Sequence, residues 1–400
     1  MRLSFLATPL LRSAVLPLGA TGVIYGSWAG RIPEIQVQTG LSEGALGTAL
    51  LGMALGLVVG ASAAGTLTAK HGAHRVTLLG FALLGAIQAG PGLATGFATL
   101  AAAFVVIGLA SGITDVAMNA WATDVEAHVG RPILGACHGV FSLGGMAGAG
   151  LAAGAAALGL GLAVHFAVTG VVVSGLVLAQ GMGVQRQRTE VEAAARSPES
   201  AQGPRFTWPR GPVVGLAALA FCGMIVEGAM GDWSALLLRE VHGASTSAAA
   251  LGFGVFMGCM AAGRFAADAL TARFGDRQLV RSGTALGAAG LALCVTAPTL
   301  PLAVAGFAAV GLGFAGVVPS LFRAATRVPG LAGGVGIAAV TSVGYTGFMI
   351  GPPLLGYVAE ATSLRASFGV LVVTALTMAL ATGWAFRRAA AREAEATPAV

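Results

Sequence analysis

TLTAKHGAHRVTLLG, Thr66 to Gly80, and ALTARFGDRQLVRSG, Ala269 to Gly283, are two copies of one stretch. A shift of 203 residues superimposes Leu67 on Leu270, Thr68 on Thr271, Lys70 on Arg273, Gly72 on Gly275, His74 on Arg277 and Gly80 on Gly283. In a chain of 400 residues this spacing marks a duplication of the whole. Each copy is a Gly-centred, basic turn between two long apolar runs, the pattern of a cytoplasmic hairpin joining membrane helices.

The rest of the composition agrees. Hydrophobic residues make up 56% of the chain and charged ones 10%, more apolar than a soluble core requires. Apolar runs of about 20 residues, enough to cross a ~30 Å hydrocarbon layer, recur along the length, and twelve are expected. Glycines such as Gly22, Gly26 and Gly30 fall at small-xxx-small spacing rather than in a collagen repeat. The four cysteines, Cys137, Cys222, Cys259 and Cys294, lie in apolar runs without a CxxC pair, which argues against a disulfide framework or a zinc site. No metal or other cofactor is expected. The formal charge of +6 follows from the positive-inside rule rather than from nucleic-acid binding. With both termini cytoplasmic, only Arg31, Arg239 and Arg365 of the 22 Lys and Arg residues fall outside. Arg12 interrupts the first apolar run and no A-x-A site follows, so residues 1–30 read as an uncleaved first helix.

The expected fold is an all-α membrane protein of twelve transmembrane helices in two pseudo-symmetric six-helix bundles. Residues 1–184 form the first bundle, 185–211 a cytoplasmic linker, 212–386 the second bundle and 387–400 a cytoplasmic tail. Helix 1 is expected over about Ser13 to Gly30, followed by a short polar outer loop to Gly44. A shift of 205 places Gly26 and Trp28 on Gly231 and Trp233, so the duplication extends beyond the hairpin. Because six is even, the halves share orientation and place a substrate between them.

Six plus six helices, the basic linker and the Gly-basic turn resemble the major facilitator superfamily. The first turn is similar to its G-x-L-x-D-R-x-G-R-R motif at Gly65, Leu67, Lys70 and Gly72, with Ala69 in place of the Asp, Ala73 and His74 in place of the final basic pair, and Arg75 following. Arg273, Gly275 and Arg277 are the counterparts in the second turn. GSWAGRIPEI, DVAMNA, GRPILGACHGVFSLGG and EGAMGDWSA together resemble a branch of bacterial inner-membrane proteins called YbjJ-like or MosC-like, whose MosC-like members are associated with rhizopine, an inositol derivative. The resemblance implies a multi-pass protein of the bacterial inner membrane, acting as a monomer in the lipid bilayer on a small-molecule substrate, with protons as a partner and no nucleic acid. It implies a transporter rather than an enzyme.

Ionisable groups inside a membrane span cost a few kcal/mol each by insertion scales, so those retained are candidates for function. Glu227 lies about 15 residues into helix 7 with no Lys or Arg within a helical turn on either side. It is the first candidate for proton coupling or substrate hydrogen bonding; the alternative is a protonated carboxyl sealing two helices together. Asp115, with Ser111 and Asn119, forms a polar stripe at i, i+4 spacing on helix 4. His138 on helix 5 lies at similar depth, so Asp115 and His138 make either a proton relay or a structural hydrogen-bond cluster. Asn119 is placed to orient Asp115 or to bind a substrate hydroxyl. Arg31 and Asp232 end helices 1 and 7 and are expected either to pair as an outer gate or to stand solvated at the interface. Trp28 and Trp233 read as interface anchors or cavity walls. Tyr345, with Thr341 and Ser342, reads as cavity lining or packing.

No Walker loop, haem motif or nucleophile elbow is visible. The expectation is a secondary transporter of a small polar solute, a sugar, polyol or related amine, working by alternating access with proton coupling. A metabolite or drug efflux antiporter is the alternative within transport, although helix 4 lacks the Arg and helix 5 the Gly-Pro pair typical of the superfamily's proton-linked drug antiporters. A transport-dead scaffold or sensor is the alternative from another class, opposed by the retained intramembrane acids.

Overall fold

In a computed structural model, which describes residues 8–195, 209–329, 331 and 333–390, the repeated turn shrinks to a single glycine in each half. Gly72 has φ 85° and ψ 144°; Gly275 has φ 75° and ψ 159°. Both lie at positive φ, where a Cβ is strained, so the same residue type breaks a helix in the same way twice.

The described residues form helices and short connections, with no strand among them. α1 (Pro9–Ala29) starts earlier than expected because the Thr8 hydroxyl accepts from the Leu11 N–H at 3.2 Å and Pro9 takes the first helical position. α2 (Ile32–Thr39) occupies the expected outer loop. Its Ile32 and Ile35 are buried, so that stretch is part of the core rather than a polar connection. α3 (Glu43–His71) and α4 (Ala73–Ile87) flank Gly72, and α5 (Gly90–Leu93) is one short turn. α6 (Phe97–Val129), α7 (Leu134–Ala157) and α8 (Leu162–Met182) complete the first half. α9 (Gln185–Ala195) is a helix within the expected linker, of which residues 196–208 lie outside the described ones.

In the second half, α10 (Val213–His242) is followed by α11 (Thr246–Thr296), two helices joined through Gly275. The expected tenth helix is divided into α12 (Leu300–Phe314) and α13 (Val317–Thr326). α14 (Gly333–Ala361) contains Pro352 and Pro353, and α15 (Leu364–Ala390) takes in the start of the expected tail, whose residues 391–400 lie outside the described ones. Among the described residues ten segments are long and apolar enough to cross a membrane. One of these, α11, is two passages, and the 21-residue α1 adds another, which gives the twelve of the sequence reading.

Pairing repeats as the sequence does. α1 packs along α7 as α10 packs along α14, and α3 along α6 as α11 along α12. Contact is close because glycine permits it: a Cβ on Gly26 of α1 would collide with the Gly145 carbonyl of α7. Between the halves, α7 lies on α11 and α3 on α14, the exchange expected of a pseudo-twofold axis. Large apolar side chains such as Leu79, Val171, Leu176, Val373 and Leu380 remain exposed on the outside, where lipid would cover them.

The helix ends define two faces. The terminal face carries Thr8, Gly72, Gly130 and Gly275; the far face carries α2, Gly40 and Gly243. On the far face the halves are joined by hydrogen bonds: Gly44 N–H to the Glu360 carboxylate at 3.1 Å, Thr48 to Tyr357 between hydroxyls at 3.0 Å, and the Ser247 hydroxyl to the Ala153 carbonyl at 2.9 Å.

Candidate functional site

A cavity of about 330 Å³ lies between the two halves, within the range typical of small-ligand sites. α1, α3, α4, α6 and α7 supply one wall, and α10, α11 and α14 the other. Most of the surface is apolar, with Met53, Met257, Met260 and Met349 among the lining side chains. Against it stand four charged residues, Asp115, Glu227, Asp232 and Arg264.

Glu227 enters the cavity from α10, as its position within an apolar helix requires. It is not alone there. Arg264 of α11 brings Nη2 to 3.7 Å from Glu227 Oε2, and each side chain is 15% exposed. The same guanidinium donates from Nη1 to the Ser142 hydroxyl of α7 at 2.8 Å and to the His138 carbonyl at 3.3 Å. One cation therefore ties both halves together at the cavity wall. Sequence reading assigned Arg264 to the basic residues of the inner side. The available signal was depth: eleven residues separate it from Gly275, about 16 Å along a helix at 1.5 Å per residue.

Asp115 and Ser111 line the cavity from α6, and Asn119 donates to Asp115 Oδ1 at 3.3 Å and to its carbonyl at 2.8 Å. Asn119 thus orients Asp115 one turn away. Among the described residues no hydrogen bond joins Asp115 to His138, whose carbonyl serves Arg264 instead.

The expected Arg31–Asp232 pair is not formed. Arg31 is 2% exposed, ion-pairs with Glu34, donates to the Leu160 carbonyl at 3.0 Å and lies 3.5 Å from His165 Nδ1. Because α2 begins immediately after it, Glu34 falls on the same side and takes the guanidinium inside the first half. Asp232 lines the cavity and has no ion-pair or hydrogen-bond partner among the described residues. The far-face contacts of Gly44, Thr48 and Ser247 hold the position the pair was expected to occupy.

Trp28 and Trp233 are 3% and 0% exposed, so both lie in the protein interior and neither anchors a water interface. Trp28 lines the cavity edge-on to Tyr25, with ring centroids 5.4 Å apart. Trp233 packs toward Gly356 behind the lining, and its indole N–H has no partner among the described residues. Tyr345 lines the cavity beside Phe348 at 6.3 Å, whereas Thr341 and Ser342 stand outside the lining. Tyr25, which the sequence reading passed over, stacks on Phe141 at 6.3 Å and presses on Gly231.

At the terminal face the two turns differ. In the second, Asp276 is buried and accepts from Arg323 at 2.9 Å and Arg327 at 3.0 Å, while Arg323 also donates to Thr271 and Ser320. Arg273 lies over the Phe274 ring at 5.2 Å, and Arg277 is exposed. In the first, Ala73 replaces Asp276, and His74 is buried against Trp121 at 4.8 Å. Gly65 is half-buried, Lys70 and Arg75 are exposed, and Glu192 of α9 lies over Gly72.

This architecture matches known proteins. The family model described as Major Facilitator Superfamily matches residues 19–335 and 216–399. An uncharacterized MFS-type transporter of Yersinia pestis is 34% identical over 358 residues, covering 90% of this chain and 91% of that protein. Membrane protein MosC of Rhizobium meliloti is 28% identical over 360 residues, 90% of this chain and 86% of MosC. The crystal structure of the nucleoside transporter NupG has the same fold, with a TM-score of 0.71 at 14% identity, covering 95% of this chain and 99% of that one. Matched by the family model across almost its whole length and by a relative sharing a third of its residues, the chain belongs to the Major Facilitator Superfamily.

Proposed function

We propose that the protein moves a small polar solute, a sugar, polyol or related amine, across the bacterial inner membrane by proton-coupled alternating access. The observation that carries this reading is the Glu227–Arg264 pair. Arg264 holds Glu227 of its own half and Ser142 with the His138 carbonyl of the other. A proton taken up by Glu227 removes the charge that holds Arg264 on its side, so protonation alters a contact between the halves. Asp115, Asp232, Tyr25 and Tyr345 are the other titratable side chains of the cavity, and solute binding competes with or reinforces proton uptake there.

The basic residues of both turns and of the linker favour a cytoplasmic terminal face. The far-face hydrogen bonds then fit a state shut toward the periplasm, with release or capture on the inner side. The test is uptake by purified protein in liposomes under imposed pH gradients, with a panel of sugars, polyols and amines. A solute whose movement follows the gradient in sign and size supports the reading. Solute movement indifferent to pH gradients would replace proton coupling with facilitated diffusion or another ion.

A further inference from the structure

Charge in the cavity does not balance. Three carboxylates, Asp115, Glu227 and Asp232, face one guanidinium, and that guanidinium already serves Glu227, Ser142 and the His138 carbonyl. Asp115 has the Asn119 amide. Asp232 has no partner among the described residues, although it lies in the central cavity among apolar side chains. A carboxylate among apolar side chains without a partner is costly, and either a proton or a cation brought in from outside offsets it.

The surroundings of Asp232 narrow the kind of cation. Glu227 lies five residues earlier on α10, and the Tyr25 ring presses on Gly231, the residue next to Asp232. Tyr25 and Trp28 meet edge to face and Tyr25 stacks on Phe141, so an aromatic wall stands next to the unpaired carboxylate. Aromatic faces attract ammonium groups, and methionines such as Met257 and Met260 adapt to apolar bodies of varied outline. A sugar or polyol would find few hydroxyl partners here, since Thr21 and Ser111 are the only aliphatic hydroxyls lining the cavity among the described residues.

We infer that the solute is an organic cation with an apolar or aromatic body, its ammonium group paired with Asp232 beneath Tyr25 and Trp28. This rests on the reading of the cavity as a transport site and selects the amine from the three solute classes proposed for it. Asp232 is a specificity residue in this assignment, while Glu227 with Arg264 remains the coupling pair.

The experiment is calorimetric binding to the purified full-length protein. The probes are phenethylamine, tryptamine and a trimethylammonium analogue, each beside the neutral alcohol of the same skeleton, together with myo-inositol and glucose. Wild type should bind at least one cation ten times or more tightly than its neutral counterpart, and Asp232→Asn should remove that preference. Asp232→Glu, which keeps the charge, should retain part of it, and a normal melting temperature separates lost selectivity from misfolding. Equal binding of cation and alcohol, unchanged by Asp232→Asn, would overturn the inference, as would inositol or glucose binding more tightly than every amine. Absence of binding by all three cations would overturn it too. Gradient-driven uptake of any solute in liposomes would leave the transport reading standing when the cation assignment fails.

Discussion

Arg264 Nη2 lies 3.7 Å from Glu227 Oε2 while Nη1 of the same guanidinium donates to the Ser142 hydroxyl at 2.8 Å, so a single side chain connects the acid of one half to a helix of the other. Two donor groups are in use at once, and a lysine ammonium is a point charge without that fork. Arg264→Lys is therefore expected to lose most gradient-driven uptake, by tenfold or more, and Arg264→Gln to lose it fully. Uptake assays in liposomes, with thermal unfolding as a control for folding, check this.

The far face makes a second prediction. Thr48 and Tyr357 meet at 3.0 Å between their hydroxyls, on helices from different halves. With Cys137, Cys222, Cys259 and Cys294 first replaced, Thr48→Cys and Tyr357→Cys should be joined by a short bis-methanethiosulfonate reagent that replaces the reach of the tyrosine ring. The crosslinked protein should stop net transport and recover on reduction. Failure to crosslink in any state would contradict the closure of this face by α3 and α14.

Gly72 and Gly275 hold φ of 85° and 75°. Alanine at either position is expected to cost about 1–3 kcal/mol of backbone strain. The Glu192 carboxylate of α9, which a Cβ at Gly72 would meet, is the end of a flexible side chain and can swing aside. Melting temperatures in detergent should fall for both, by similar amounts.

Asp276 is buried and takes hydrogen bonds from Arg323 and Arg327, whose side chains are 30% and 70% exposed. Asp276→Asn should destabilise the second half by about 1–3 kcal/mol, the exposure of the arginines keeping the loss below that of a fully buried pair. The first half has Ala73 there and His74 packed on Trp121, so Ala73→Asp should bring no matching gain. Chemical or thermal unfolding of the two variants distinguishes these outcomes.

The fold was legible in the sequence because membrane helices announce themselves locally, through apolar length and basic turns. The duplication likewise appears as residue identity at fixed spacing, and Gly72 and Gly275 repeat it in backbone conformation. Depth was legible for Glu227 and Asp115, which line the cavity, but not for Asp232, which was expected at the outer end of its helix and lines the cavity too. Partnership was not. Arg264 and Glu227 are brought together by packing of α10 on α11, and nothing in either local sequence specifies it. Arg31 was expected to reach across the halves, but an unforeseen helix, α2, supplied Glu34 at shorter range. The tryptophans were ambiguous for the same reason: Trp28 is followed by α2 and Trp233 lies well inside α10, and hydropathy alone does not separate an interface from a core.

The measurement that bears most directly on the central claim compares wild type with Glu227→Gln in liposomes, in two modes. In exchange mode, with solute on both sides and no gradient, the variant should still move labelled solute. In accumulation mode, driven by an imposed pH gradient, it should fail to concentrate solute where wild type does. That split would establish Glu227 as the proton site coupled through Arg264. Accumulation by Glu227→Gln equal to that of wild type would contradict the account and reduce the pair to a structural contact.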